Sequence, residues 1–296
     1  MRYAMEWNQL QKFLVVAKEE NISKAALQLN MTQPSLSQTI KRLEDELGYQ
    51  LFVREGKKIR LNESGKLFLQ TIMEMNELMD NTKLKLEEMN NIHHPKVTIL
   101  FATASKQLPD LLLYLKHRNP QTQYQIHQWQ KDKDFYDVDI QILSCANTDN
   151  LLESDVVLLN ERILLALPNM HPLLKKEKIY LKDLIHEDFI SLNEYWELGR
   201  IVKKEMENSF IELNDTMIVD NPNMLRELLN AQLGIAFVPT LSWDNFGNNI
   251  VLKNVEGVHL NRTIYLRTKS NRFLTQEQKE CIEGIKEYFY KKYFCK

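Results

Sequence analysis

The stretch from Asn21 to Glu44, NISKAALQLNMTQPSLSQTIKRLE, constrains this chain most: its apolar residues are spaced as two short helices joined by a tight turn. Ala25, Ala26 and Leu29 recur on one helical face behind Ser23, a candidate N-cap, and the small alanines let a second helix cross closely. Asn30 stands where the chain must reverse, and Asn tolerates the left-handed backbone of such a corner. The second helix opens at Thr32, whose hydroxyl can cap its first turn, with Pro34 inside that turn, where a missing N–H is tolerated. Leu36, Ile40, Leu43 and Leu47 form a stripe for the core, which leaves Gln33, Ser35, Ser37, Gln38, Lys41 and Arg42 on the other faces.

These are residue types suited to a DNA groove. Gln pairs through two hydrogen bonds with adenine, Ser serves base edges or phosphates, and Lys or Arg holds the backbone. The N-terminal half of the helix is expected to read and the remainder to position, although a helical hairpin with a solvated polar face also fits these residues alone. The next segment, LFVREGKKIRL, sets two short apolar runs around a polar turn containing Gly56. Arg54, Lys57, Lys58 and Arg60 against the single acid Glu55 give that hairpin a positive tip, suited to phosphates or a narrow minor groove.

Trp7 to Gly65 is similar to the winged helix-turn-helix of the LysR-type transcriptional regulators: an entry helix with Leu10, Phe13 and Val16, then SKAALQLNMTQPSLSQTIKRLEDELGYQLFVREGKKIRLNESG. The resemblance implies that Gln33, Pro34, Ser37 and Gln38 meet the major groove, that Thr32 and Lys41 lie near phosphates, and that Arg54 serves the wing. With Ser23, Ser35, Lys57 and Lys58 these complete the candidate DNA-binding set. Asn62 stands where the family usually has Thr and remains a competent helix cap.

Ser64 to Asn91 is charged, Met-rich and free of Pro, and is expected to form one long helix of about 40 Å at 1.5 Å per residue. Phe68, Ile72, Met75, Met79, Thr82, Leu86 and Met89 alternate spacings of four and three, the seam of a two-stranded coiled coil, and are the candidate dimerisation residues. Packing on the chain's own body is the other fate of such a stripe. Dimerisation through this segment is what the family resemblance implies, and a shared axis between two reading heads implies an approximately palindromic DNA site. His93 and His94 have no third metal ligand near them in sequence, and Pro95 ends the helix.

From Lys96 the pattern changes to strands alternating with helices, the signature of a doubly wound α/β sheet. The stretches LNERILLALPNMHPL, LKDLIHEDFISL and LLNAQLGIAFVP resemble the effector domain of the same family, which has the two-lobed architecture of periplasmic binding proteins. The resemblance implies two crossings between lobes, near Glu153 to Ile163 and near Val258 to Ile264, and a ligand in the cleft. Strand-to-helix turns aim amides into such a cleft and favour anions such as carboxylates. Thr103 and Ser105 are the leading effector-binding candidates, followed by Asn193, Asn221 and Asn223. Plain helix capping explains each of these equally well. The short QKDKDFYD after Trp129 departs from the family, which usually has room there for a helix, and Gln232 stands in place of a usual glycine.

The expected architecture is thus multidomain: an all-α winged helix-turn-helix DNA-binding domain over 1–62, a linker and dimerisation helix over 63–94, and an α/β two-lobed effector domain over 95–296. Its lobe I takes 95–160 and 262–296, and its lobe II takes 161–261. The 296 residues are 44% hydrophobic, enough for sizeable cores, and the net charge of −2 conceals ten Lys/Arg against seven Asp/Glu over residues 1–62. Three widely spaced cysteines, Cys145, Cys281 and Cys295, give no disulfide framework or zinc run and suit a reducing cytoplasm. The peroxide-sensing members of the family use two cysteines in the second lobe, whereas residues 166–265 here contain none.

No secretion signal or spanning apolar run is present, so no membrane partner is expected. No HExxH, GxSxG, P-loop or Gly-rich dinucleotide turn occurs, so neither an enzyme nor a cofactor is expected. The expected partners are double-stranded DNA, a small-molecule effector and further copies of the chain in a homodimer or homotetramer. The rival readings are a cytosolic solute-binding protein and a DNA binder that needs no effector.

Overall fold

The computed structural model describes residues 5–55, 58–90, 96–129, 138–243, 246–269 and 272–295, without the side chains of 54, 55, 58 and 150. It divides into two units, Met1–Ile92 with Asn271–Phe273, and His93–Ser270 with Leu274–Lys296.

In the first unit α1 (Trp7–Glu19), α2 (Ile22–Gln28) and α3 (Gln33–Leu47) pack around Phe13, Val16, Ala25, Leu36 and Leu43. The hairpin of β1 (Phe52–Glu55) and β2 (Lys58–Leu61) follows, then the long α4 (Glu63–Met89). The Phe13 ring lies 5.6 Å from Phe52 and 5.0 Å from Phe68, tying the entry helix to both the wing and α4. Asn30 takes the left-handed conformation (φ 53°) in the turn between α2 and α3. The cap of α2 is Asn21, which accepts from the Lys24 amide at 3.1 Å, rather than Ser23, which lies inside the helix and is exposed. Asn21 can do this because its extended backbone precedes the first helical residue; Ser23 is already one residue too far along.

Thr32 caps α3 by accepting from Ser35, with Pro34 in the first turn, and Gly48 ends it with φ 76°. Asn62 caps α4 through the Gly65 amide at 2.8 Å. Gly65 is required there, because an added Cβ would stand 2.0 Å from the carbonyl oxygen of Leu51. The predicted seam is divided along α4. Ile72 is buried in the winged-helix core and Phe68 packs against it, so neither is available to a second helix. Met75, Met79, Leu86 and Met89 remain exposed within the protomer.

The second unit is built on β3 (Lys96–Phe101), β4 (Gln123–Gln128), β5 (Ile140–Cys145), β6 (Val156–Pro168), β9 (Ala236–Pro239), β10 (Ile250–Lys253) and β11 (Asn261–Thr268). Their order is β10, β6, β11, β5, β3, β4, with β9 also on β6. β3 is parallel to both β4 and β5, each reached by a crossover, one of them containing α5 (Leu108–Arg118). β6 is the strand that joins the lobes: Val156 to Arg162 pair with β11, whereas Ile163 to Pro168 pair with β9 and β10. β11 returns the chain to lobe I, where α8 (Gln276–Tyr293) packs Cys281, Ile285 and Phe289 against the sheet.

Lobe II adds the parallel pair β7 (Phe189–Leu192) and β8 (Asp215–Val219), with α6 (Glu197–Asn208) and α7 (Pro222–Asn230). Its core of Leu165, Leu184, Phe189, Leu229 and Val238 is separate from that of lobe I. Gln232 itself adopts the left-handed turn after α7 (φ 59°), at a strain of about 1 kcal/mol. The glycine that the packing demands is Gly234, where an added Cβ would stand 2.6 Å from the carbonyl oxygen of Asp188.

Candidate nucleic-acid interface and effector cleft

Along the outer face of α3, Gln33, Pro34, Ser35, Gln38, Lys41 and Arg42 are exposed and Ser37 is half-buried, while Leu36, Ile40 and Leu43 hold the opposite face in the core. Thr32 uses an oxygen lone pair on the Ser35 amide, so its own O–H is left to donate to a phosphate. Arg42 lies 3.3 Å from Glu46 along the helix, with most of its side chain in solvent. The wing is braced from two sides. Glu44 accepts from the amides of Leu51 at 2.7 Å and Phe52 at 3.2 Å, and the Ile59 amide donates to the Glu20 carbonyl at 3.2 Å. Lys57 lies outside the described residues, as do the side chains of Arg54 and Lys58.

In the second unit the C-terminal ends of β3, β4 and β5 face lobe II across a cleft. Its lining includes Thr103, Ser105, Gln128 and Ser144 from lobe I, Trp196, Glu197, Pro222 and Trp243 from lobe II, and Arg262 where β11 begins. Ala104, left-handed at φ 54°, turns the chain from β3 toward α5 and brings Thr103 and Ser105 to this cleft. Asn193, Asn221 and Asn223 are not among its lining residues. Asn193 accepts from the Tyr195 amide at 3.2 Å, Asn221 caps α7 through the Asn223 amide at 2.7 Å, and Asn223 accepts from Arg226. These three serve their own turns, the capping role open to any Asn at a helix start.

The cleft is nearly closed, with about 20 Å³ of free volume, room for about one water. Trp129 of lobe I and Trp196 of lobe II meet edge to face with centroids 5.4 Å apart, and the Trp196 indole donates to the Asp220 carbonyl at 2.6 Å. Arg262, which lines the same cleft, belongs to a buried ionic knot. Glu161 accepts from Arg262 at 2.8 Å, from the Ser242 hydroxyl at 2.7 Å and from the amides of Leu241 and Ser242 at 3.0 and 2.8 Å. Arg262 also donates to the Ser242 hydroxyl at 2.7 Å, and Gln107 reaches the Ser242 carbonyl at 3.1 Å from lobe I. Such a pair is sustained by complete hydrogen bonding, which here also welds the second crossing to the segment after β9.

A larger hollow of about 970 Å³ lies in lobe II beside α6, β7 and β8, and Asn193 opens onto it. Its floor is the lobe's own apolar core, including Phe189, Leu225 and Phe237, and its rim lysine, Lys203, is already paired with Glu194 at 2.5 Å. The interlobe cleft is the better ligand site, since hydroxyls, a carboxylate and indole rings converge there from both lobes. Neither buried cysteine is poised for redox chemistry. Burial pushes the Cys281 thiol up to about 12 and also raises that of Cys145, with a further contribution from Glu197.

Residues 7–66 match the family model described as a bacterial regulatory helix-turn-helix protein of the lysR family, and residues 95–289 match the LysR substrate binding domain. The chain belongs to the LysR family of transcriptional regulators. The HTH-type transcriptional regulator YybE of Bacillus subtilis is 30% identical over 244 residues, 80% of this chain and 83% of the relative. The transcriptional dual regulator GltC of the same organism is 27% identical over 296 residues, covering 97% of this chain and 98% of the relative.

Solved LysR-type structures share the fold. A full-length OxyR variant from Pseudomonas aeruginosa gives a TM-score of 0.60 at 18% identity, covering 98% of this chain and 96% of that one. Full-length CbnR complexed with its target DNA gives 0.54 at 18% identity, covering 96% and 99%. No helix among the described residues is long and apolar enough to cross a membrane. Trp196, Glu197, Trp243 and Arg262 are cleft residues that sequence reasoning did not single out. For the Trp129 side of the cleft the signal was the strand pattern from Gln123 to Trp129, whose last residue falls at the C-terminal end of β4.

Proposed function

We propose that this LysR-family regulator reads double-stranded DNA with the exposed N-terminal half of α3, as a cytoplasmic dimer or tetramer acting on approximately palindromic sites. The face of Gln33, Pro34, Ser35 and Gln38, presented to solvent by a well-capped helix, carries the reading. A small molecule in the interlobe cleft biases the arrangement of the subunits, so regulation works by binding rather than by catalysis. The DNA complex of the related CbnR and the regulator names of the relatives support this assignment.

The test is selection of bound sequences from a random pool, followed by quantitative gel shifts. Gln33→Ala and Ser37→Ala are expected to relax base preference at defined positions, by about 1–3 kcal/mol per contact. Lys41→Ala is expected to weaken every sequence alike and to lower the salt slope by about 1. Uniform loss with all three variants would remove the division of roles.

A further inference from the structure

The charges around the cleft bear on which molecule fits it. Among its described lining residues the charged side chains are Arg262 and Glu197. Arg262 is buried and held through Nε by Glu161 and through one terminal nitrogen by Ser242, so its charge is already balanced by the Glu161 carboxylate within that knot. Glu197 differs. It begins α6, and both contacts from Arg200, at 2.9 and 2.5 Å, fall on Oε2, leaving Oε1 without a partner among the described residues. Its charge is felt across the cleft: after burial itself, Glu197 is among the groups that raise the pKa of Cys145 and Tyr265 in lobe I. The preceding residue, Trp196, also lines the cleft and meets Trp129 edge to face, and the electron-rich faces of indoles attract cations. The opposite wall offers the hydroxyls of Thr103, Ser105 and Ser144, which suit a carboxylate.

We infer that the effector is zwitterionic, an amino acid or a close relative, with its ammonium against Glu197 Oε1 and the Trp129–Trp196 rings and its carboxylate on the Thr103–Ser105 turn. The inference rests on the reading of this cleft as the effector site. It restricts the anion expected from the strand-to-helix turns to one end of the ligand. Because the free volume now holds about one water, entry requires the lobes to part about the β6 and β11 crossings, which separates the two indoles. The ligand then reseats them around its ammonium group.

The experiment uses the full chain, with calorimetry and tryptophan fluorescence, and titrates the twenty standard amino acids against their 2-oxo counterparts. At least one amino acid is expected to bind and to change the indole emission, with its 2-oxo counterpart weaker by at least about 100-fold, since a buried site built for a donor rejects the analogue that lacks it. Glu197→Gln is expected to remove most of that preference, and Trp196→Phe to keep more of it than Trp196→Leu. A 2-oxo acid that binds as tightly as its amine, or amino-acid binding untouched by Glu197→Gln, overturns the zwitterion and leaves the effector cleft standing. Silence from both sets overturns the zwitterion, and the effector reading then falls only if molecules outside these two classes also fail to bind.

Discussion

Arg267 and Asp155 show how single side chains hold the lobe I side of the cleft. Arg267 donates from Nε at 2.8 Å and from its terminal nitrogen at 2.6 Å to an Asp155 side chain that is fully buried, and its guanidinium stacks over Tyr265. The hydrogen bonds from Arg267 chiefly depress the Asp155 pKa, burial opposes them, and the Leu152 amide assists. A depressed folded pKa contributes stability above the unfolded value of about 3.9, lost as pH falls through the folded value. Arg267→Met leaves a buried carboxylate unpaired at neutral pH, an expected loss on the order of 3 kcal/mol. Protonation then relieves the variant, so its urea midpoint should approach that of the parent between pH 7 and pH 4. A gap that stays constant with pH would show that the pair contributes packing and no charge. At this scale the sequence announced residues that follow a strong periodic element, such as Thr103 and Ser105 after the apolar β3. Trp196 and Glu197 were silent because they are the N-cap and first residue of α6, placed by β7 and α6 folding together and by no local pattern.

The helix α4 shows what periodicity carries and what it leaves out. The spacing located its ends within a residue or two, but a two-sided apolar helix cannot tell from spacing alone which side faces its own domain. Phe68 and Ile72 close the winged-helix core, and the apolar stripe left in solvent is Leu67, Thr71, Met75, Leu78, Thr82, Leu86 and Met89. Thr71 and Thr82 donate their hydroxyls to the carbonyls of Leu67 and Leu78, at 3.1 and 2.8 Å, so each can turn its methyl outward. Six steps across 22 residues repeat about every 3.67 residues, a stripe that stays on one face of a nearly straight helix. Substitutions on the two sides should therefore behave oppositely. Ile72→Ala should cost about 2–5 kcal/mol of protomer stability in urea unfolding. Leu78→Glu, at a position 67% exposed, should leave protomer stability within about 0.5 kcal/mol while raising the dimer dissociation constant in sedimentation equilibrium. If Leu78→Glu left the association state unchanged, the second copy would have to meet this one elsewhere.

For the whole molecule, the consequence of joining two reading heads is a doubling of the phosphates neutralised in one binding event. Each neutralised phosphate contributes about 0.9 to the slope of log affinity against log salt on double-stranded DNA. The local excess of Lys and Arg over residues 1–62, in a chain of net charge −2, confines those contacts to the heads, so the slope counts heads engaged rather than overall charge. The parent protein on its palindromic site should therefore show about twice the slope of Leu78→Glu on the same duplex, and about twice its own slope on a single half-site, where only one head finds its sequence. The variant should also lose far more affinity on the full site than on the half-site, because coupling through α4 turns the second contact into an intramolecular one. Equal slopes on full and half sites would mean that one head suffices for recognition, and α4 would then serve the effector units instead of the spacing of the reading helices.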